Sequence, residues 1–570
     1  MAGKKQGCGD CKRAGRHYRY WPWAALVVVI LLTAAVRVRL LGAPLERDEG
    51  EYAYGGQLIL QGVAPYAQVY NMKMPGIYVA YALIMAAFGQ THTGIHLGLL
   101  IINAATILLL FLLVEKLFGA LAGVAAGAAF ALLSLGQQVQ GVFANAEHFV
   151  ILAALGGLVL LVRAVDCEGG LALLAGAVLL GLAFIMKQHG AAFIIFGAVY
   201  LLSVELRRRP FTWKPLAARG VLFLLGVLLP FAVTCLLLWG LGVFDKFWFW
   251  TFDYAREYVS AMPLSVGLKK LQGKVIDIAG SAILLWILAG AGLASFFWHK
   301  NVRKHSLFAG GLLFFSFVAV CPGLYFRPHY FILLLPAIAL LAGVGAVSIR
   351  DLFVRGSSAP AAQVIPMLLA VSVLCHASYQ QRIVIFQADP RALSRIIYSA
   401  NPFPESLEVA RFIKEHSASD DTIAVIGSEP QIYFYSNRRA ATGYIYTYAL
   451  MEDNSYARRM QEQMIREVES ASPELLVFVN VTASWLARPD SEKMIFEWFK
   501  RYTDKYYRKV GIIDIISQEL TVYRWGRECE NYRPRSRYWV AVWQRNGKRS
   551  SSPKQHILEP APIDVHNLPL

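Results

Sequence analysis

Charge and cysteine are both scarce in this sequence. Only 16% of its 570 residues are Asp, Glu, Lys or Arg, while 56% are hydrophobic. Apolar runs of 17 to 23 residues recur from Trp23 to about Tyr379. A soluble core cannot use that much uninterrupted apolar sequence, so a soluble protein is excluded for the first two thirds. The 7 cysteines support no disulfide framework: Cys8 and Cys11 form a lone Cys-x-x-Cys without a second pair at zinc-finger spacing, and the others lie far apart. No small-residue cleavage site follows the basic first 20 residues, and the apolar run behind them is full length. It reads as a retained first span rather than a removed signal peptide. The apolar part shows no internal repeat, which argues against a secondary transporter. There is no glycine-rich phosphate loop either, since Gly427-Ser428-Glu429-Pro430 has a single glycine and reads as a strand-to-helix turn capped by Ser428.

What is present is a series of candidate spans near 22–41, 93–115, 118–136, 147–165, 170–186, 190–206, 219–241, 275–298, 306–322, 329–348 and 361–379, about eleven in all. The net charge of +17 does not indicate nucleic acid, because much of the loop basicity falls in alternate short connections, among them Arg207–Arg219 and His299–His305. That alternation is the signature of membrane orientation by positive charge. It places residues 1–20 inside as a basic cytoplasmic N-terminus, and leaves the opening stretch, Gln137–Glu147, Lys187–Gly190, Phe244–Asp277 and Pro322–Tyr330 outside. The transmembrane domain then covers 21–379, with a first outer loop at 42–92. From Gln380 charges return and strand-like segments (Thr422–Gly427, Leu475–Asn480 and two more near 510–515 and 519–524) alternate with helical ones. This predicts an extracytoplasmic α/β domain over 380–527, followed by a polar, basic tail over 528–570. The expected fold class is thus a polytopic α-helical membrane protein with a C-terminal α/β domain outside the cytoplasmic membrane.

The unusual polar residues gather on that same outer side. Leu45–Tyr78 carries Asp48, Glu49 and Glu51 at one end and Lys73 at the other, with tyrosines Tyr52, Tyr54, Tyr66, Tyr70 and Tyr78 along it. Asn145, Glu147 and His148 open the fourth span, Lys187-Gln188-His189 fill a turn, Arg256 sits in the long Phe244–Asp277 segment, and Tyr325, Arg327, His329 and Tyr330 precede the tenth span. Ionisable groups at membrane depth are costly unless they pair or serve a function, so several loops converging on one side predict one pocket. Asp48 with Glu51 has capping-box spacing. Glu49–Leu60 and Ile77–Phe88 read as short amphipathic helices at the interface, and Phe244–Asp277 as a cover. Arg37 and Arg39, at the outer end of the first span, read as contacts to a lipid phosphate or as snorkelling side chains.

Several of these groups fall in a recognisable order: Asp48-Glu49 after span one, Lys73-x-Pro75-Gly76 about 25 residues on, Asn145-x-Glu147 heading span four, Lys187-x-x-Gly190 after Gly181-Leu-Ala-Phe-Ile-Met, and Arg327-Pro-His-Tyr before a proline-containing span. In this the chain resembles the GT-C membrane glycosyltransferases, in the branch of protein O-mannosyltransferases and the lipid A aminoarabinose transferase. The resemblance implies inverting transfer of one sugar from a polyprenyl-phosphate donor to a lipid, glycan or protein acceptor on the outer face of the membrane. Partners would be that donor, the acceptor and membrane lipids, with no nucleic acid.

The residues suit that chemistry. Attack by a hydroxyl or amine on an anomeric carbon needs a carboxylate base, and a departing polyprenyl phosphate needs fixed positive charge. Asp48 is the expected base, Glu147 an acceptor-positioning acid, and Lys73, Lys187 and Arg327 phosphate ligands. Glu49, Tyr52, His189, His329, Tyr330 and Arg256 are candidate substrate contacts. A divalent cation on Asp48, Glu49 and Glu147 is an option that this branch does not favour, so no cofactor or metal is expected. The rival classes are a lipid or polysaccharide transporter or flippase, which would carry charge through mid-membrane, and a lipid-linked oligosaccharide transferase or ligase, which would need a wider cavity. A sensor anchored by its membrane part would leave the one-sided charges without a purpose.

Overall fold

The computed structural model describes residues 20–356 and 361–547; Cys8, Cys11 and the tail beyond residue 547 lie outside the described residues. Helix α1 (Trp21–Arg39) opens the membrane body, in which, among the described residues, six helices are long and apolar enough to cross a bilayer, or seven if the pair Leu264–Gly280 and Ile283–Phe297, bent by 102°, is one span. The other runs read as spans, near 118–136, 170–186, 306–322 and 361–379, are occupied by the shorter apolar helices Ala120–Leu133, Gly170–Met186, Ser306–Val320 and Val364–Gln380. Apolar sequence continues past the end of a helix into its turn, as at Leu133–Gly136, so hydropathy overstates helix length there. The chain is a multi-pass membrane protein.

The loop over 42–92 folds into two helices, and the first is too deeply buried in protein to be an interfacial amphipath. Helix α2 (Arg47–Leu60) has its first twelve residues buried, Arg47 through Leu58. It lies between α3 (Pro75–Phe88) and the outer domain. Small residues make this sandwich close: a Cβ on Gly50 would come within 2.6 Å of the Gln431 backbone, and one on Gly56 within 2.9 Å of the Ala82 backbone. The start of α2 is set by Glu46, whose carboxylate accepts from the Glu49 N–H while Glu49 accepts from the Glu46 N–H. The capping box therefore sits two residues earlier than the expected Asp48/Glu51 pair, and Asp48 keeps its side chain for other partners.

The outer domain is one mixed sheet in the order β2-β1-β3-β6-β4-β5, formed by β1 (Thr422–Ile426), β2 (Arg439–Ala440), β3 (Leu475–Asn480), β4 (Tyr507–Ile515), β5 (Thr521–Trp525) and β6 (Trp539–Arg545). β1 runs parallel to both β2 and β3, whereas β6 is antiparallel to β3 and β4. The segment read as a tail from 528 thus supplies an inner strand of the sheet, and residues 548–570 lie beyond the described residues. WVAVWQR is a good strand, but the basic residues flanking it hide it in a composition reading. One apolar cluster joins Tyr52, Tyr54, Ile77 and Tyr81 of the outer loop to Ile423, Val425, Ile432 and Val477 of the sheet domain. The two parts share a core, so the loop is positioned from above and below.

In the membrane body, helices Ile283–Ala294 and Leu335–Gly356 touch backbone to backbone. A Cβ on Gly292 would fall 2.0 Å from the Leu341 carbonyl, and one on Gly345 2.1 Å from that of Leu288, while Gly290 has nothing within 4 Å. Small residues at such crossings are what allow membrane helices to pack closely. Gly345→Ala is expected to destabilise the detergent-solubilised protein by about 1–3 kcal/mol, the usual cost of overpacking, and Gly290→Ala to be neutral or slightly stabilising, both measured by thermal unfolding. Equal melting temperatures for the two variants would contradict this packing.

Candidate active site

Asp48 leaves the first turn of α2 pointing into a cavity of about 240 Å³ between the membrane body and the outer domain. Lys73, Arg327, His329 and Tyr330 line it with Asp48. Asp48 Oδ2 lies 3.2 Å from Lys73 Nζ and 3.9 Å from His329 Nε2, and Oδ1 accepts a hydrogen bond of 3.1 Å from the Tyr446 hydroxyl. Burial alone would raise the Asp48 pKa, but Lys73, with His329 and Lys187 behind it, outweighs burial and holds it well below the usual carboxylate range. For Lys73, burial alone would lower the pKa; Asp48 and Glu51 outweigh it and keep the ammonium charged. Arg327 has no carboxylate within ion-pair distance among the described residues and lies against the ring of Tyr325, its guanidinium carbon 5.6 Å from the ring centre. Asp48, Lys73 and Arg327 therefore face one space, with Glu46, Arg47 and Glu452 also on its lining.

Other sequence candidates are near but not in it. Glu49 turns away from the cavity, taken by the Ala144 N–H, His96 (3.0 Å) and its capping role. Lys187 is ion-paired to the fully buried Glu147, with its Nζ 4.3 Å over the Tyr330 ring. The pair supports a cavity wall from beneath instead of lining it. Two atoms of Asn145, Oδ1 and Nδ2, and Oε2 of Glu147 are buried without a hydrogen-bond partner. His189 bonds the Ala319 carbonyl at 2.7 Å and packs edge-on to Tyr330. Tyr52 is buried, its hydroxyl 3.4 Å from Lys73 Nζ. Arg256 is exposed and outside the lining, although its segment supplies Trp250, Tyr254 and Tyr258 to the wall. Arg37 is buried and donates to the carbonyls of Ser134 and Gly141, whereas Arg39 is exposed and donates to those of Val384 and Ala388.

The carboxylates once considered for a cation do not assemble. Asp48 is met by Lys73, Glu49 by His96 and Glu147 by Lys187. Among the described residues no three His, Cys, Asp or Glu side chains are grouped to hold a metal ion.

The outer domain's share of the site was not visible in the sequence. Tyr446, Tyr448 and Glu452 line the cavity, and Tyr254 donates to Glu452 across the domain boundary. The only signal was the alternation Tyr444-Ile-Tyr446-Thr-Tyr448, which puts aromatic groups on one side of an extended segment.

A polar cavity at the ends of apolar helices, roofed by an extramembrane α/β domain, defines the GT-C fold. A sequence profile of the family described as Dolichyl-phosphate-mannose-protein mannosyltransferase matches residues 73–234, less than half of the chain. Among solved structures the chain is similar to ArnT from Cupriavidus metallidurans bound to undecaprenyl phosphate, at 16% identity and TM-score 0.55, over 81% of this chain and 93% of that one. It is also similar to the archaeal oligosaccharyltransferase AglB from Archaeoglobus fulgidus in complex with an inhibitory peptide and a dolichol-phosphate, at 13% identity and TM-score 0.54, over 89% and 74%. No curated protein matches the chain by sequence. The fold is the one these two solved structures share.

Glu51 reports on this environment. It accepts from Asn71 (2.8 Å) and Tyr78 (2.6 Å). Burial raises its pKa from 4.5 to about 7, with Lys73 opposing the rise. A carboxyl with a raised folded-state pKa stabilises the fold at low pH and loses that contribution as pH climbs through the folded value. The melting temperature of the wild-type protein should therefore fall relative to that of Glu51→Gln between about pH 4.5 and pH 7, as thermal unfolding across that range will show. Parallel curves would contradict the assignment.

Proposed function

We propose that this protein is an inverting glycosyltransferase that moves a single sugar from a polyprenyl-phosphate donor to an acceptor hydroxyl or amine at the outer face of the cytoplasmic membrane. The observation that carries this reading is the Asp48–Lys73 pair, 3.2 Å apart and facing the cavity. Lys73 and Arg327 bind the donor phosphate. Asp48 takes the proton of the acceptor as its oxygen or nitrogen attacks the anomeric carbon, and the bond to the phosphate oxygen breaks on the opposite face with its electron pair leaving on polyprenyl phosphate. As the ammonium of Lys73 turns to the phosphate, Oδ2 of Asp48 becomes free to act as base. Tyr330, braced by Glu147 and Lys187, and His329, held 3.1 Å from Gln140, fix the wall against which the sugar sits.

A greasy carrier needs a greasy path. An apolar groove of about 500 Å³ is lined by Trp286, Phe314, Phe317, Phe331, Leu334 and Ile338 among others. Phe331 and Leu334 belong to the same short helix, Pro328–Leu334, whose first residues line the polar cavity. That helix thus joins a polar cavity to an apolar groove, which suits the two halves of a polyprenyl-phosphate-sugar donor. The cavity of about 240 Å³ is smaller than the roughly 300–1,000 Å³ of drug-sized ligand sites, which favours one sugar unit over a whole glycan. The similarity to ArnT and AglB, whose structures hold undecaprenyl phosphate and a dolichol-phosphate, agrees with a polyprenyl carrier.

Asp48→Asn should reduce sugar transfer from polyprenyl-phosphate donors by about 10²–10⁴-fold, the usual contribution of a general base. The measurement is mass spectrometry of envelope lipids and glycans from cells with the active, deleted and Asp48→Asn genes. The same product should vanish from the last two. A product profile in Asp48→Asn equal to that of the active gene would remove the assignment of the base.

A further inference from the structure

The Gly427-Ser428-Glu429-Pro430 turn is densely held by side-chain contacts. Arg47, the residue before Asp48, sends its guanidinium into this turn. It ion-pairs with Glu429 at 2.6 Å and donates to the Ser428 carbonyl, to Asn401 Oδ1 at 2.9 Å and to the Tyr448 hydroxyl at 3.0 Å. Both members of the pair are buried, Glu429 completely. A guanidinium fork with this many fixed acceptors sets orientation as well as distance. The same turn also holds the tyrosine segment: Ser428 Oγ accepts from the Thr447 N–H at 2.9 Å and lies 2.9 Å from Thr447 Oγ1. Thr447 is flanked by Tyr446, which reaches Asp48 Oδ1, and Tyr448, which reaches Arg47. The first turn of α2 and the tyrosine segment are thereby locked in one register through a single loop of the outer domain.

We propose that Tyr446 is a positioning residue for the base: its hydroxyl occupies Oδ1 of Asp48 and leaves Oδ2 as the oxygen that takes the acceptor proton, with the Arg47–Glu429 fork keeping the outer domain in that register. This rests on the reading of Asp48 as the base. It makes the outer domain part of the chemistry and not only a grip on the acceptor. The phenol is suited to donate, because burial and then the charge of Asp48 keep it protonated. Besides Tyr446, Asp48 is faced by Lys73 from the loop, by His329, Tyr330 and Arg327 on the same cavity lining, by Lys187 behind that wall, and by Glu46 and Glu51 from its own helix and cap. In the donor complex the phosphate neutralises Lys73, and Tyr446 then becomes a main group stabilising the Asp48 anion.

The test is the pH profile of kcat at saturating donor, which reports the bound enzyme. Tyr446→Phe keeps the ring and removes the hydroxyl. Losing a hydrogen bond to a charged acceptor should move the acid limb upward by about one pH unit and lower kcat by roughly 10-fold, with donor KM changed less than about 2-fold. Replacing Tyr446 with 3-fluorotyrosine, a stronger donor of the same shape, should move the limb the opposite way. A limb that stays in place in both variants, or that moves the same way in both, overturns the proposal, whatever happens to overall activity. Asp48→Asn is run alongside: full transfer by that variant removes the base itself, whereas inactive Asp48→Asn with unmoved limbs in the Tyr446 variants removes only the role of Tyr446.

Discussion

The rest of this structure depends on a carboxylate and an ammonium held 3.2 Å apart between the helical body and the α/β domain. Removing two such charges from water costs several kcal/mol each, and their attraction repays this only where the geometry is good and the remaining hydrogen-bonding atoms are met. Here they are met on every side. Tyr446 takes one oxygen of Asp48, and Tyr52 approaches Lys73 from beneath. A pair so placed is stable at rest but can be divided by a ligand that offers the lysine a better anion. In the proposed reaction a donor phosphate would be such a ligand, and its arrival would leave the carboxylate uncompensated at the moment a base is needed.

Holding that pair in place takes both halves of the chain. From below, Glu46 and Glu49 cap α2, His96 and the Ala144 N–H anchor Glu49, and Glu51 is tied to Asn71 and Tyr78. From above, Arg47 is forked into the Ser428–Glu429 turn. Along α2, consecutive residues thus point to different neighbours: Arg47 to the outer domain, Asp48 to the cavity, Glu49 to the membrane helices. The shared apolar core makes this arrangement rigid, because the loop cannot shift without disturbing the sheet above it.

Much of this was legible in the residues. Asp48, Lys73, Arg327, His329 and Tyr330 stood out because ionisable or polar groups beside long apolar runs are expensive, and all five line one cavity. What was not legible depends on direction or on distant partners. In the sequence Asp48 reads as the base and Glu49 as a substrate contact, but about 100° of helical rotation between them sends Glu49 away from the cavity. The capping box slipped by two residues because Glu46/Glu49 and Asp48/Glu51 share one spacing. Lys187 looked like a free phosphate ligand until Glu147, 40 residues earlier, was seen to hold it. Tyr446 lies 398 residues from Asp48, a separation over which no pattern in one chain reports contact. Strand β6 was missed because its basic flanks resemble a solvated tail.

The most direct measurement of the central claim is the affinity of the purified protein for polyprenyl phosphate without a sugar, compared across wild type, Lys73→Met and Asp48→Asn. If the ammonium is shared between the carboxylate and the donor phosphate, Lys73→Met should weaken binding by at least about 10-fold, the scale of one charge-assisted hydrogen bond. Asp48→Asn, which removes the competitor, should bind as tightly as wild type or more tightly. Equal affinity in Lys73→Met and wild type, or weakened binding in Asp48→Asn, would contradict the account.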